Sequence, residues 1–141
     1  SGIAASSYFG IPLTHRNGAS SVTFVTGHET SEKKEKSVNW RQLAISADSL
    51  VIYMGIRNIE FIVEELINGG MSKNTKCAAI QEATLKNQKS LITELSELPK
   101  AIEKNNIKPP SIVIIGKIVD FQVKNTITKL SSVNLQKIKR S

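Results

Sequence analysis

A chain of 141 residues with 40% hydrophobic residues is long enough to bury the core of one domain. Its 19 basic and 12 acidic residues leave a net charge of +7, which suits an anionic partner or, equally, a solvated lysine-rich surface. No hydrophobic run approaches the ~20 residues of a membrane span, and the single cysteine, Cys77, excludes an internal disulfide and favours a reducing compartment.

The first nine residues are small and apolar and predict a short helix that ends at Gly10. Their start carries neither an initiator methionine nor a basic signal region, as expected of a cut inside a longer protein. Pro12 then makes a turn that presents Thr14, His15 and Arg16 just before a strand. The planar guanidinium of Arg16 suits a carboxylate, although an arginine that simply ends a loop fits the pattern as well.

The next segment reads as a strand, a charged loop, a short helix and a second strand. Residues 21–27 alternate polar and apolar side chains, and residues 30–36 form a charged run that predicts an exposed loop. Asn39 is a favourable cap for a helix that reaches Leu43 or Ala44. The continuously apolar residues 50–54 predict a buried strand.

Apolar side chains at helical spacing follow Asn58, which we expect to cap an amphipathic helix; they are Ile59, Ile62, Val63, Leu66 and Ile67. The pair Gly69-Gly70 ends that helix, and residues 77–80 predict the next strand. Residues 90–93 predict another strand.

Ser96 is the expected cap of a further helix, with Pro99 in its first turn. Residues 111–115 form the most apolar strand, and Gly116 permits a turn after it. The last twenty residues are basic and predict a frayed helix or a disordered tail. Because strands alternate with helices, the fold class is a three-layer α/β domain.

The patterns of several enzyme classes are absent from the sequence. His15, His28 and Cys77 lack the spacing of metal ligands, and neither a Gly-x-Ser-x-Gly nucleophile elbow nor a Gly-rich phosphate loop occurs. The strand ends remain as candidates, because ligands of open α/β sheets bind beyond the carboxyl ends of strands. Gly55 and Ala83 follow two such strands and are small enough for a ligand to approach the backbone.

Four motifs carry a resemblance to a known family. They are Gly-Ile-Pro-Leu-Thr-His-Arg at residues 10–16, Thr-Gly-His at 26–28, Val-Ile-Tyr-Met-Gly at 51–55 and Pro-Pro-Ser-Ile-Val-Ile-Ile-Gly at 109–116. Together they make residues 1–121 similar to the carboxyl-terminal part of uroporphyrinogen III C-methyltransferases, within the tetrapyrrole (corrin and porphyrin) methylases. The run at residues 10–16 is typical of this subgroup.

This resemblance implies the domain organisation. Residues 1–9 would be the remnant of an interdomain helix, residues 10–121 the carboxyl-terminal methylase domain with a mixed sheet, and residues 122–141 a basic tail. An amino-terminal methylase domain with its Gly-rich loop would be missing. The family also implies a homodimer in the cytoplasm, or in an organelle stroma, with neither nucleic acid nor membrane as partner.

The resemblance also assigns ligand contacts. Ser1, Met54 and Ala83 match positions that contact S-adenosyl-L-methionine, which leaves as S-adenosyl-L-homocysteine. With weaker support, residues 110–111 would line the adenine side. Arg16 matches the arginine that grips the carboxylates of the substrate. The acid–base residues of the family lie in the other domain and have no counterpart in this sequence.

The implied reaction is attack by a pyrrole carbon of uroporphyrinogen III on the sulfonium methyl group, repeated at a second ring to give precorrin-2. The product leads to sirohaem or cobalamin. The 141 residues alone would hold half a site and are expected to be inactive. A methylase acting on a related precorrin and a non-enzymatic basic binding module remain the alternatives.

Overall fold

The computed structural model describes residues 21–27, 38–81 and 89–119, and these contain a single five-stranded sheet. The strands lie in the order β1-β2-β5-β3-β4. In chain order they are β1 (Val22–Thr26), β2 (Ser49–Tyr53), β3 (Lys76–Gln81), β4 (Lys89–Glu94) and β5 (Ser111–Gly116). The predicted strands are therefore confirmed, each within one or two residues of its expected ends.

The directions of the strands decide which ends meet. Strand β1 runs parallel to β2, whereas β5 runs antiparallel to both of its neighbours, β2 and β3, and β4 runs antiparallel to β3. The carboxyl ends of β1, β2 and β3 consequently share one edge of the sheet with the amino ends of β4 and β5. We call this the carboxyl edge. The mixed α/β sheet agrees with the predicted fold class.

Among the described residues, three helices pack on one face of the sheet: α1 (Trp40–Ser46), α2 (Ile59–Asn68) and α3 (Leu98–Lys104). Alternate strand residues such as Leu50 and Ile52 point into this helical core and are fully buried. The residue between them, Val51, faces the opposite side, where Ile118 and Val119 pack. Both faces of the central strands are buried, which explains their continuously apolar sequences.

The amphipathic pattern of α2 is confirmed, since its buried side chains are Ile59, Ile62, Val63 and Leu66. Leu66 is fully buried, so Leu66→Ala would cost roughly 2–5 kcal/mol of stability through lost contacts and a cavity. The helix ends at Gly69, whose N–H donates to the carbonyl of Glu65, and Gly70 follows with φ of 108°, as the paired glycines predicted.

A two-point ion pair joins α1 to α2. The Nε and Nη2 atoms of Arg41 donate to the two carboxylate oxygens of Glu65 at 3.0 and 3.2 Å. This hydrogen bond and the charge of Glu65 raise the pKa of Arg41 above its ordinary value. Because the Arg41 side chain is exposed, the pair is expected to add little to stability.

The helix caps agree with prediction at one position and differ at two. Asn39 caps α1, since its Oδ1 accepts from the N–H of Gln42, although the helix continues to Ser46. Asn58 was wrongly predicted as a side-chain cap: it makes no cap bond, and a short 3₁₀ turn precedes α2.

Ser96 was also wrongly predicted as a cap, because α3 begins at Leu98 after its own 3₁₀ turn. The N–H of Ser96 instead donates to the carbonyl of Lys73. The prediction of Pro99 in the first turn is confirmed.

None of the helices in the described ranges is long and apolar enough to cross a membrane. The predicted helix at residues 1–9, the loop at 30–36 and the tail at 122–141 lie outside these ranges. The domain boundaries therefore stay predictions.

Candidate functional site at the carboxyl edge

The carboxyl edge brings together residues from distant parts of the sequence. Met54 follows the last residue of β2, and Ser111 begins β5, whose second residue lies opposite Tyr53. Gln81 ends β3 directly opposite Ser111. The predicted cofactor residue Met54 and the predicted adenine edge thus meet at the same end of the sheet, as the rule for open α/β sheets requires.

Met54 has an unusual backbone. Its φ is 52°, in the left-handed region that a side chain with a Cβ atom enters at a cost of about 1 kcal/mol. Met54 is 60% exposed, although residues 49–52 of β2 are buried and Tyr53 is half-buried. An exposed, left-handed methionine at a strand end is a candidate ligand contact, because backbone strain often occurs at ligand-binding sites.

The segment that leads into β5 is also held in place at this edge. The side-chain oxygen of Gln81 accepts from the N–H of Lys108 at 2.9 Å, which ties the approach to β5 onto the end of β3. The peptide bond between Pro109 and Pro110 is cis. Ser111, which follows it, is only 7% exposed.

Among the described residues, the buried hydroxyl of Ser111 makes no hydrogen bond. A buried polar atom without a partner costs free energy, and native proteins leave few of them. The Ser111 Oγ is therefore a candidate contact for a ligand bound at this edge. The sequence predicted residues 110–111 as part of the site, but the unpaired hydroxyl follows only from the structure.

Two residues of the edge, Gly27 and Asn58, were not predicted from the sequence to be part of the site. The N–H of Gly27 donates to the carbonyl of Tyr53 at 2.7 Å, and the Nδ2 of Asn58 donates to the carbonyl of Gly27 at 3.0 Å. Gly27 could have been selected from the sequence, because it belongs to the Thr-Gly-His motif. Asn58 carried only the signal of a helix cap, which concealed its contact with a distant strand.

A groove of about 580 Å³ lies beside the edge, between the start of α2 and the end of α3. Arg57, Glu60, Glu103 and Asn106 contribute its polar rim, and Phe61 its exposed apolar wall. Neither Met54 nor Ser111 lines it. Within the described ranges, no group of three or more His, Cys, Asp and Glu side chains could hold a metal ion.

The remaining predicted site residues lie outside the described part of the chain. They are Ser1, Arg16 and Ala83. Of the residues assigned to the cofactor, Met54 and the adenine edge at residues 110–111 lie in the described part of the chain, and the exposure of Met54 at the carboxyl edge is compatible with that assignment. The roles of all these residues stay predictions.

Comparison with known proteins gives a consistent result. The family model of the tetrapyrrole (corrin/porphyrin) methylases matches residues 1–99. A uroporphyrinogen-III C-methyltransferase of Bacillus subtilis is 42% identical over 124 residues, which cover 88% of this chain and 48% of that protein. A siroheme synthase of Nitrosomonas eutropha is 41% identical over 122 residues, or 86% of this chain and 25% of that protein.

A solved structure agrees with the sequence comparison. The uroporphyrin-III C-methyltransferase of Thermus thermophilus, complexed with S-adenyl homocysteine, superposes with a TM-score of 0.65 at 26% identity. The match covers 79% of this chain and 48% of that chain. The present chain thus spans half or less of the length of these relatives, and it belongs to the tetrapyrrole (corrin/porphyrin) methylases.

Proposed function

We propose that this chain supplies the carboxyl-terminal wall of an S-adenosylmethionine-dependent uroporphyrinogen III C-methyltransferase. The observation that carries the proposal is the exposed, left-handed Met54 at the carboxyl edge of a tetrapyrrole methylase sheet. The identity of 42% to a uroporphyrinogen-III C-methyltransferase favours this subgroup over the rest of the family.

The described residues fit S-adenosylmethionine in two respects. The Met54 thioether is polarizable and exposed, so it offers an adaptable apolar contact. The buried hydroxyl of Ser111 lacks a partner in the described part of the chain and can hydrogen-bond a polar atom of a ligand. We assign Met54 and Ser111 to the cofactor wall on these grounds, together with Ser1 and Ala83 on the family pattern.

The bound cofactor supplies an electrophilic methyl group, and the chain's part is to position it. Methyl transfer depends on holding the reacting atoms close and in line. We propose that Arg16 orients uroporphyrinogen III through its carboxylates, since a guanidinium forms two parallel hydrogen bonds with one carboxylate. An amino-terminal domain, which makes up the other half of the family's length, would close the site from the opposite side. The homodimer and the cytoplasmic or stromal location remain predictions.

A chimera would test the proposal directly. Residues 1–121 of this chain would replace the matching half of the Bacillus subtilis relative, and methyl transfer to uroporphyrinogen III would be followed with labelled S-adenosylmethionine. We expect precorrin-2 as product. Transfer only to another precorrin would favour the related methylase, and no transfer or binding would contradict the proposal.

Arg16→Lys in the same chimera tests the substrate contact. Lysine keeps the charge but loses the two-point geometry, so we expect methyl transfer to fall about tenfold or more with unchanged cofactor affinity. Arg57→Lys is the matched control, because Arg57 is exposed near the carboxyl edge and has no assigned role. Unchanged rates with Arg16→Lys would remove Arg16 from the substrate site.

A further inference from the structure

The ends of β1 and β2 touch through two glycines. A Cβ atom added to Gly27 would lie 2.6 Å from the Cα of Gly55, closer than real Cβ contacts allow. The N–H of Gly27 donates to the carbonyl of Tyr53 at 2.7 Å, which extends the β1–β2 pairing by one bond. Met54 lies between Tyr53 and Gly55, so both residues flanking it in sequence are held against the end of β1.

Asn58 bonds to both of these glycines. Its backbone N–H donates to the carbonyl of Gly55 at 3.1 Å. Its side-chain Nδ2 donates to the carbonyl of Gly27 at 3.0 Å, across 31 positions of sequence, and this bond is partly buried. One residue therefore closes the turn after Met54 and fastens that turn to the neighbouring strand.

The side chain of Asn58 does this instead of its local alternative. Asparagine before a helix normally accepts a hydrogen bond from the first turn, as Asn39 does for α1. Helix α2 has no side-chain cap bond at Asn58. The amide is thus oriented towards the strand end, where it can act on the backbone around Met54 and not on the helix.

We propose that Asn58 is a positioning residue for the ligand wall at Met54. By fastening the turn at residues 54–58 to Gly27, it holds Met54 in its left-handed, exposed conformation. Loss of this bond lets the turn relax, and the methionine then leaves the position from which it contacts the cofactor. The identity of the ligand, S-adenosyl homocysteine or S-adenosylmethionine, rests on the proposed function. The hydrogen bonds that hold the turn around Met54 do not depend on it.

Asn58→Asp is the sharpest variant, because aspartate keeps the shape of the side chain and loses the N–H donor. In the chimera we expect the Kd for S-adenosyl homocysteine and the KM for S-adenosylmethionine to rise about tenfold, the scale of one lost hydrogen bond. The kcat should stay within about twofold of the parent, since Asn58 does not touch the reacting atoms.

Two further variants separate positioning from general stability. In Asn105 the same amide donates to the carbonyl of Ala101 at 2.8 Å, but within the end of α3. Asn105→Asp thus removes an equivalent donor and should leave both constants unchanged. Asn58→Gln keeps a donor on a longer side chain and should recover part of the lost affinity.

The pH profile supplies an independent readout. A protonated aspartic acid carries an O–H donor, so the ratio of Kd between Asn58→Asp and the parent should shrink as pH falls through the carboxyl pKa. Each ratio is taken at one pH, so the titration of groups that both proteins share cancels. A ratio that stays constant as pH falls through the ordinary aspartate pKa, about 4, would contradict a donor role for Asn58.

A ligand-free measurement keeps the proposal separate from the proposed function. The chain has two methionines, so methyl-labelled protein gives two signals, from Met54 and from Met71. Asn58→Asp should shift or broaden the Met54 signal and leave that of Met71 in place. An unchanged Met54 signal, or unchanged Kd and KM, would overturn the proposal. If the parent chimera binds no S-adenosyl homocysteine, the proposed function fails, and the methyl spectrum alone decides whether Asn58 positions Met54.

Discussion

The segments that precede α1 and α2 each contain an asparagine just before the helix, yet the two side chains act in opposite ways. At Asn39 the side-chain oxygen accepts from the N–H of Gln42 at 3.1 Å and caps the helix. At Asn58 the side-chain nitrogen donates to the carbonyl of Gly27 at 3.0 Å. The cap preference of asparagine is local and modest, so a strand end with a free carbonyl can redirect the side chain.

The difference shows what to expect of each segment. The described side-chain hydrogen bond of Asn39 stays within its own helix, so changes at Asn39 should alter stability alone. The turn before α2 joins two strands at the carboxyl edge, so changes there should alter both stability and the ligand wall at Met54. The predictions that follow test this contrast.

Among changes at the carboxyl edge, the largest effect on stability is expected at the contact between the two glycines. In Gly27→Ala the new Cβ would meet the Gly55 Cα at 2.6 Å and Ile52 and Ile62 at 3.1 Å. We expect the free energy of unfolding to fall by about 1–3 kcal/mol through overpacking. Urea denaturation measures it, with the exposed neighbour Thr26→Ala as control. A stability equal to that of the parent would show that the strand ends can separate at no cost.

The next largest effect should be a difference in stability between Asn58→Asp and Asn39→Asp. Asn39→Asp keeps a side-chain acceptor, and aspartate caps as well as asparagine, so stability should change by less than about 0.5 kcal/mol. Asn58→Asp loses its donor and turns a carboxylate towards a carbonyl, which should cost about 1–2 kcal/mol at pH 7. Equal losses by urea denaturation at the two sites would contradict the assigned hydrogen bonds.

A smaller effect on stability is expected at Met54 itself. Glycine removes the left-handed strain but adds backbone freedom to the unfolded chain, so Met54→Gly should change stability by less than about 1 kcal/mol. Ligand affinity should nevertheless fall, because the thioether contact is lost.

Asn106→Gly is the matched control for Met54→Gly, since Asn106 also has a left-handed φ, of 54°. It should leave binding of S-adenosyl homocysteine unchanged in calorimetry with the chimera. Loss of binding in both variants would mean that backbone conformation, and not the Met54 side chain, governs affinity.

The smallest effect at neutral pH concerns Cys77, which lies near the amino end of β3, opposite the carboxyl edge. Burial raises the pKa of its thiol from 9.0 to about 12. Because the folded pKa lies above the unfolded value, this contribution to stability is complete below pH 9 and is lost as pH rises towards 12.

The thiol therefore reports unfolding. Iodoacetamide should modify Cys77 only through opening of the fold at pH 8, and faster in Gly27→Ala than in Thr26→Ala. Rapid alkylation of the parent, independent of added urea, would contradict the buried thiol.

Much of the fold could be predicted from local patterns. The apolar residues 50–54 and 111–115 indicated buried strands, and the spacing of Ile59, Ile62 and Leu66 indicated the buried face of α2. These predictions succeeded because a strand buried on both faces is continuously apolar, whereas a helix buried on one face repeats its apolar residues with a period of 3.6. The family motifs, in turn, indicated Met54 as a site residue, but not its left-handed backbone.

The cap errors have a common physical reason. Ser96 and Asn58 are both residue types that favour helix caps. Each instead lies in a 3₁₀ turn just before its helix and donates a hydrogen bond to a carbonyl outside that helix. The free carbonyls of Lys73 and Gly27 are brought near them only when the chain folds. Sequence spacing does not indicate these hydrogen bonds, because the partners are separated by 23 and 31 residues.

The sequence by itself determined the elements, their buried faces and the family, since each depends on neighbouring side chains or on contiguous motifs. Tertiary structure alone decided how the carboxyl edge is built: the contact of Gly27 with Gly55, the direction in which Asn58 donates, and the unpaired hydroxyl of Ser111. These features depend on which strand ends lie side by side. That order is set by packing of the whole sheet, so it is not visible in any one segment of the chain.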